Sequence, residues 1–185
     1  MAKSKADEVL EEIERSAHGR FLPIIGPSRG LVLIEAVRRY RPRRILEVGT
    51  LVGYSTILMG RELGEGSEIV TIEYDRDEAE QARENIARAE LATEVEVLVG
   101  DALEIIPTLE GSFDMVFLDA AKHQYLDYLR LVEDKLHSGS VVVADNVSFM
   151  SRSMKGYLDH VRSSGKYESE LHRSGGDGIE ISVKL

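Results

Sequence analysis

Five short apolar runs, each followed by a stretch with helical spacing, constrain this chain more than any other feature. RILEV (44–48) is followed by a helical segment at 55–63. EIVTIEY (68–74) is followed by a strongly charged helix from Asp77 to Ala89. VEVLVG (95–100) leads to a short helical piece, 103–109, which contains Pro107. FDMVFLD (113–119) leads to a helix from His123 to Leu136, and SVVVADN (140–146) to a helix over 151–163. Continuous Val/Ile/Leu runs suit parallel strands buried on both faces, and parallel pairing needs crossovers such as these helices. Right-handed crossovers then give a doubly wound sheet. Two last strands, about 166–172 and 178–184, flank GGDG with no helix between them, which predicts an antiparallel pair at one edge. Ahead of the first strand, Val9, Leu10, Ile13 and Ala17 line one face of a helix over Asp7–Ala17. Pro27-Ser28 opens a second helix through about Arg39, and Pro42 prevents its continuation.

The expected fold class is therefore α/β, a mostly parallel sheet with helices on both faces, in one domain spanning 1–185. Residues 1–40 are expected to form helices that cover the site. The chain has no cysteine, which removes disulfide frameworks, thiol nucleophiles, zinc ribbons and iron–sulfur sites, and fits a reducing cytoplasm. Any metal must use oxygen or imidazole ligands. No apolar run approaches the roughly 20 residues of a membrane span, and the charged start MAKSKADEVLEEIER does not read as a secretory signal. A net charge of −10 argues against a protein that coats nucleic acid. Arg38, Arg39, Arg41, Arg43 and Arg44 crowd together against that background. They read first as a soluble helix C-terminus, and second as a local anion or RNA contact.

In such sheets ligands lie beyond the carboxyl ends of the strands. After the first strand stands Glu47-Val48-Gly49-Thr50-Leu51-Val52-Gly53-Tyr54-Ser55, where the glycines permit a tight turn and close ligand approach. A dinucleotide fingerprint places glycine where this chain has Glu47. A carboxylate there repels pyrophosphate and attracts a cation, which favours S-adenosylmethionine, with its ammonium and sulfonium, over a nicotinamide cofactor. Glu73, ending the second strand, suits the two hydroxyls of a ribose, while Asp75, Asp77 and Glu78 suit a helix dipole. Asp101, with Gly100 and Ala102, reads equally as an adenine contact and as a helix cap. Asp119 follows the fourth strand, and Asp145 and Asn146 the fifth. Two carboxylates and an amide at neighbouring strand ends suit a hard cation such as Mg²⁺, Mn²⁺ or Ca²⁺, although each alone reads as a turn residue. Lys122 is an ordinary surface lysine by default. Beside a divalent cation and a sulfonium its charged form is disfavoured, and it can act as a base. His123 is the rival, and the other histidines read as structural.

The strings ILEVGTLVGYST, TIEYD, GDALEIIPTL, FDMVFLDAAKHQY, VVVADNV and GDGIEIS resemble, in order and spacing, the cation-dependent O-methyltransferases. That family includes catechol and caffeoyl-coenzyme A O-methyltransferases and small prokaryotic relatives. The resemblance runs from about Ile25 to the C-terminus. It implies a Rossmann-like class I methyltransferase fold, a seven-stranded sheet with its last strand antiparallel. It implies an S-adenosylmethionine site lined by Ile25, Glu47, Gly49, Thr50, Ser55, Glu73, Asp101, Ala102 and Asp119. It implies Asp119, Asp145 and Asn146 as metal ligands, Lys122 as general base, and methyl transfer to a hydroxyl of a catechol-like aromatic. The chain departs from catechol O-methyltransferase at Ala121, where that enzyme has tryptophan, so its pocket walls are built from other residues. Leu22, Phe149 and Met150 read either as apolar substrate walls or as core. The rival functions are methylation of a wobble hydroxyuridine in tRNA with the same cofactor and metal, a nicotinamide oxidoreductase, and a non-catalytic nucleotide-binding protein. A homodimer is compatible with each.

Overall fold

The computed structural model describes residues 3–19 and 22–185. In chain order the elements are α1 (Lys5–Gly19), α2 (Gly26–Tyr40), β1 (Arg44–Val48), α3 (Tyr54–Gly60), β2 (Glu68–Glu73), α4 (Arg76–Ala89), β3 (Glu94–Val99), α5 (Ala102–Ile105), β4 (Phe113–Leu118), α6 (Tyr125–Val132), β5 (Leu136–Ala144), α7 (Lys155–Ser163), β6 (Tyr167–Ser174) and β7 (Asp177–Lys184). The sheet order is β3-β2-β1-β4-β5-β7-β6. β1 to β5 pair in parallel, and β7 is antiparallel to both β5 and β6. The expected edge pair is thus present, with its second strand inserted beside β5.

Alternation along each strand builds two cores. Ile45, Ile69, Met115, Phe117, Val141 and Val143 face one side, where α1, α2 and α3 pack. Leu46, Val70, Val116, Leu118 and Val142 face the other, with residues of α5, α6 and α7. The two-residue period of a strand thus feeds apolar side chains to both layers. The helix that follows β1 lies on the first face and the helix that follows β4 on the second. The chain therefore parts between β1 and β4, and the crevice opens at their carboxyl ends.

Local chemistry sets the boundaries. Asp75 caps α4 by accepting from the amides of Asp77 and Glu78 at 2.8 and 3.0 Å. Pro27 sits in the first turn of α2, and Arg41 ends that helix in the left-handed region at φ 47°. Three elements differ from expectation. The helix expected over 103–109 is α5 followed by a 3₁₀ turn, Ile106–Thr108. Pro107 has no amide hydrogen with which to extend an α-helix. The helix expected from His123 to Leu136 keeps α-geometry only over α6, between 3₁₀ turns at Lys122–Gln124 and Glu133–Lys135, because Leu136 pairs with Phe113 and begins β5. Residues 151–154 form turns that fold back on the Met150 carbonyl, so α7 starts at Lys155.

Candidate active site

A cavity of about 660 Å³ opens at the carboxyl ends of β1, β2, β3 and β4. The β1 turn is its floor. Gly49 adopts φ 100°, and a Cβ there would fall on the Asp119 carbonyl, so only glycine lets this turn lie against the end of β4. Leu51 also has positive φ, 49°, and is held by its amide, which donates to Glu73 Oε2 at 2.7 Å. The Asp75 amide donates to the other Glu73 oxygen at 3.0 Å. Glu73 therefore pins the turn while lining the cavity. The Thr50 and Thr71 hydroxyls bond at 2.5 Å beneath it.

Glu47 departs from its expected place. It does not line the cavity and is fully buried. It shares a strand face with Ile45 and therefore points under α3, where Ser55 and Thr56 donate to it, as does Thr71 at 2.7 Å. Burial pushes its carboxyl up to about 7, against the pull of the three hydroxyls. A carboxyl so placed supports the turn from below.

Ile25, Gly49, Thr50, Ser55, Glu73, Asp101, Ala102, Asp119, Lys122 and Asn146 all line the cavity. Asp101 lines the cavity and also accepts from the Leu103 amide at 2.8 Å as the cap of α5. Beside Ala121 the wall is completed by Tyr74, Gln124 and Tyr128, and the Tyr128 hydroxyl donates to Gln124 at 2.6 Å. From the N-terminal region the cavity takes Pro23, Ile24 and Ile25; neither described helix, α1 or α2, lines it. Leu22 packs against the first core. Phe149 and Met150 are exposed, on the loop that follows Asn146.

Backbone pairing beyond the strands brings the acidic residues together. The Asp119 amide donates to the Val48 carbonyl at 2.9 Å, and the Asp145 amide to Leu118 at 3.0 Å. Lys122 Nζ donates to Asp119 Oδ1 at 2.6 Å and to the Tyr125 hydroxyl at 2.9 Å. Asn146 stands at φ 61° and donates through Nδ2 to Asp177 Oδ2 at 3.1 Å. Asp145 is fully buried and neither of its oxygens has a hydrogen-bond partner. Arg29 Nε approaches Oδ1 at 3.1 Å, misaligned for a hydrogen bond. Burial, and then the Asp119 charge, push the Asp145 carboxyl up, while Arg29 draws it down. Among the described residues no three Asp, Glu or His groups converge as a metal set. The expected set has two carboxylates and an amide, and its hard oxygens, with two buried lone-pair groups unpartnered, fit a divalent cation.

Arg29 and Asp177 are site residues that the sequence reading missed. Asp177 lay within the quoted GDGIEIS string without a role. No local pattern marks Arg29, which reaches Asp145 only through the docking of α2. His137, His160 and His172 pair with Asp114, Glu133 and Glu170, away from the cavity. The arginine cluster lies at the end of α2 and the start of β1, the end of the sheet opposite the crevice. There Arg38 pairs with Glu62, and Arg44 with Glu68. No described helix is long and apolar enough to cross a membrane.

A family model described as O-methyltransferase matches residues 2–162. A catechol O-methyltransferase of Mycobacterium tuberculosis is 40% identical over 148 residues, 80% of this chain and 62% of that one. A catechol O-methyltransferase of Niastella koreensis is 39% identical over 127 residues, 66% of this chain and 58% of that one. The chain thus spans about three fifths of the length of these curated relatives. The crystal structure of an O-methyltransferase from Bacillus cereus in complex with SAH superposes with a TM-score of 0.85 at 28% identity, covering 100% of this chain and 92% of that one.

Proposed function

Starting from a chain that belongs to the O-methyltransferase family, we propose that it transfers the methyl group of S-adenosylmethionine to a hydroxyl of a catechol-like small molecule, with a divalent cation. The observation that carries this reading is the juxtaposition of two sets of residues on one crevice. Glu73, Asp101 and the Gly49 turn line one part of it, and Asp119, Lys122 and Asn146 line another, with Asp145, paired to Arg29 but free of side-chain hydrogen bonds, beside them.

Glu73 would offer its carboxylate to the ribose hydroxyls, and Asp101 and Ala102 would line the end that takes the adenine. Ser55 and Ile25 bound the end that takes the methionine part. Bound S-adenosylmethionine supplies an electrophilic methyl: the acceptor oxygen forms the new C–O bond as the S–C bond breaks, and the sulfur leaves uncharged. Asp119, Asp145 and Asn146 would hold the ion, which would supply a Lewis acid that lowers the pKa of an acceptor hydroxyl. As the free amine, Lys122 Nζ receives the hydroxyl proton, from a position held by Asp119 Oδ1 and the Tyr125 hydroxyl. The Gly49 turn and the Asp119 carbonyl hold the two halves of the crevice in contact, so both reactants meet at fixed orientation.

The test is methyl transfer from labelled S-adenosylmethionine to a panel of catechols, with Mg²⁺ or with EDTA, and separately to tRNA lacking its modifications. The expected result is label on a catechol that requires Mg²⁺. Equal transfer in EDTA overturns the metal role. Label on tRNA alone moves the acceptor to RNA, and cofactor binding without any transfer favours a non-catalytic binding protein.

A further inference from the structure

We propose that Asp177 is a positioning residue: it fixes the Asn146 amide so that its oxygen, not its nitrogen, is presented beside Asp119 and Asp145. The inference rests on the metal-dependent reading above and deepens it. An asparagine amide has one branch that accepts and one that donates, and the two are nearly the same shape. Only the oxygen branch can ligate a hard cation. Something must therefore select the branch, and the backbone does not, because both flips share one backbone conformation.

Asp177 has the chemistry to select it. Its Oδ1 accepts from the amides of Ser148, Phe149 and Gly178 at 3.0, 2.9 and 2.8 Å. Its Oδ2 accepts from Asn146 Nδ2 at 3.1 Å and has Arg29 Nη1 at 3.7 Å. An acceptor-only group surrounded by donors can tolerate only the nitrogen of the neighbouring amide. With Nδ2 committed to Asp177, Oδ1 is the branch left for the crevice. The same carboxylate ties the 146–149 loop to the start of β7, so the left-handed backbone of Asn146 and its side-chain sense are set by one group. Groups that orient metal ligands in this way commonly alter metal affinity by about 10- to 100-fold when changed.

Asp177→Asn separates orientation from loop support. The new amide keeps a carbonyl for the three backbone donors, and turns its own NH₂ toward Asn146, which then swaps its branches. Titration of the chain with Mn²⁺, followed by electron paramagnetic resonance, gives a readout independent of turnover, and S-adenosylmethionine binding is measured alongside. The expected result is a Mn²⁺ dissociation constant raised about 10- to 100-fold with cofactor affinity kept. In Asn146→Asp/Asp177→Asn both branches at position 146 are oxygens, so Mn²⁺ binding should return to near the wild-type level. Wild-type Mn²⁺ affinity in the single variant overturns the role, as does a double variant no better than the single one. Loss of cofactor binding in Asp177→Asn makes the residue a brace of the loop and also overturns it. An unsubstituted chain that binds no Mn²⁺ overturns the metal reading itself and this role with it, a failure visible without any variant.

Discussion

A carboxyl group with no access to water and three hydroxyls around it, as at Glu47, stands between two charge states. Burial lifts it from 4.5 to about 7 in the fold, whereas the unfolded chain ionises it at the ordinary value. Between those two pH values the folded state holds a proton that the unfolded state has released. Stability therefore falls as pH rises through that window, by roughly 3 kcal/mol across it, and is flat above it. Asp145 is raised in the same direction by burial and by Asp119, and adds a slope of the same sign. Comparison with Glu47→Gln isolates Glu47. The Gln amide stays neutral, and the Thr56 and Thr71 hydroxyls can rotate to accept from it. In urea denaturation at pH 5 and pH 8, the variant should gain on the wild type by about 2.5 kcal/mol at the higher pH. Parallel changes in the two proteins would refute the buried, elevated carboxyl. The residue types at the site were legible because each follows a strand in the chain: Gly49, Glu73, Asp119 and Asn146 needed only that rule. The direction of Glu47 was not, since the motif names the residue while strand parity decides which face it meets.

At the scale of elements, α1 raises the question of what holds it to the rest. Its buried face is Ala6, Val9, Leu10 and Ile13, packed into the first core. Its polar face makes ion pairs from Asp7 to Arg61 and from Glu12 to Arg88, between side chains that keep much of their exposure. Burying one aliphatic side chain contributes about 1.5–3 kcal/mol, whereas an exposed pair contributes about 0–1. Apolar packing should therefore decide. Leu10→Ala is expected to cost about 2–5 kcal/mol and Arg88→Ala less than about 1, both by urea denaturation. The reverse ranking would make α1 a charge-held strap. Tyr54 links this helix to the site, since it lines the cavity while its hydroxyl donates to Glu14 at 2.5 Å. The helix was readable from its period, and the strands from their apolar runs, because both patterns are local. The start of α7 was not, where residues 151–154 turn back on the Met150 carbonyl; nor was that of β5, because a distant partner settles it, Phe113 drawing Leu136 into the sheet. Arg29 escaped for the same reason, as the approach of α2 to β5 is a property of packing.

The molecule as a whole is polar in a directional sense. Its crevice lies at the carboxyl ends of the strands, while Arg38 to Arg44 lie around the end of α2 and the start of β1. The five residues of β1 separate the two ends by about 16 Å at 3.3 Å per residue. A small aromatic acceptor seated against Lys122 cannot touch both. The cluster is also partly neutralised, by Glu62 on Arg38 and by Glu68 on Arg44, which leaves Arg39, Arg41 and Arg43 as its exposed cations without an ion pair among the described residues. With a net charge of −10 the chain gains little long-range attraction for a polyanion, so a tRNA acceptor would depend on such a local patch. This sets opposite expectations for one variant. Arg41→Glu/Arg43→Glu removes two positive charges and adds two negative ones at the far end of the sheet. Turnover of a catechol should stay within roughly two-fold of wild type, as befits surface substitutions worth no more than about 0.5 kcal/mol. Methylation of tRNA, if the unsubstituted chain performs it, should collapse, and more steeply as salt is lowered, because the introduced like charges are then less screened. A tenfold fall in catechol turnover would mean that the two ends of the sheet are coupled through β1. Undiminished tRNA methylation would mean that the cluster is only the soluble cap of α2.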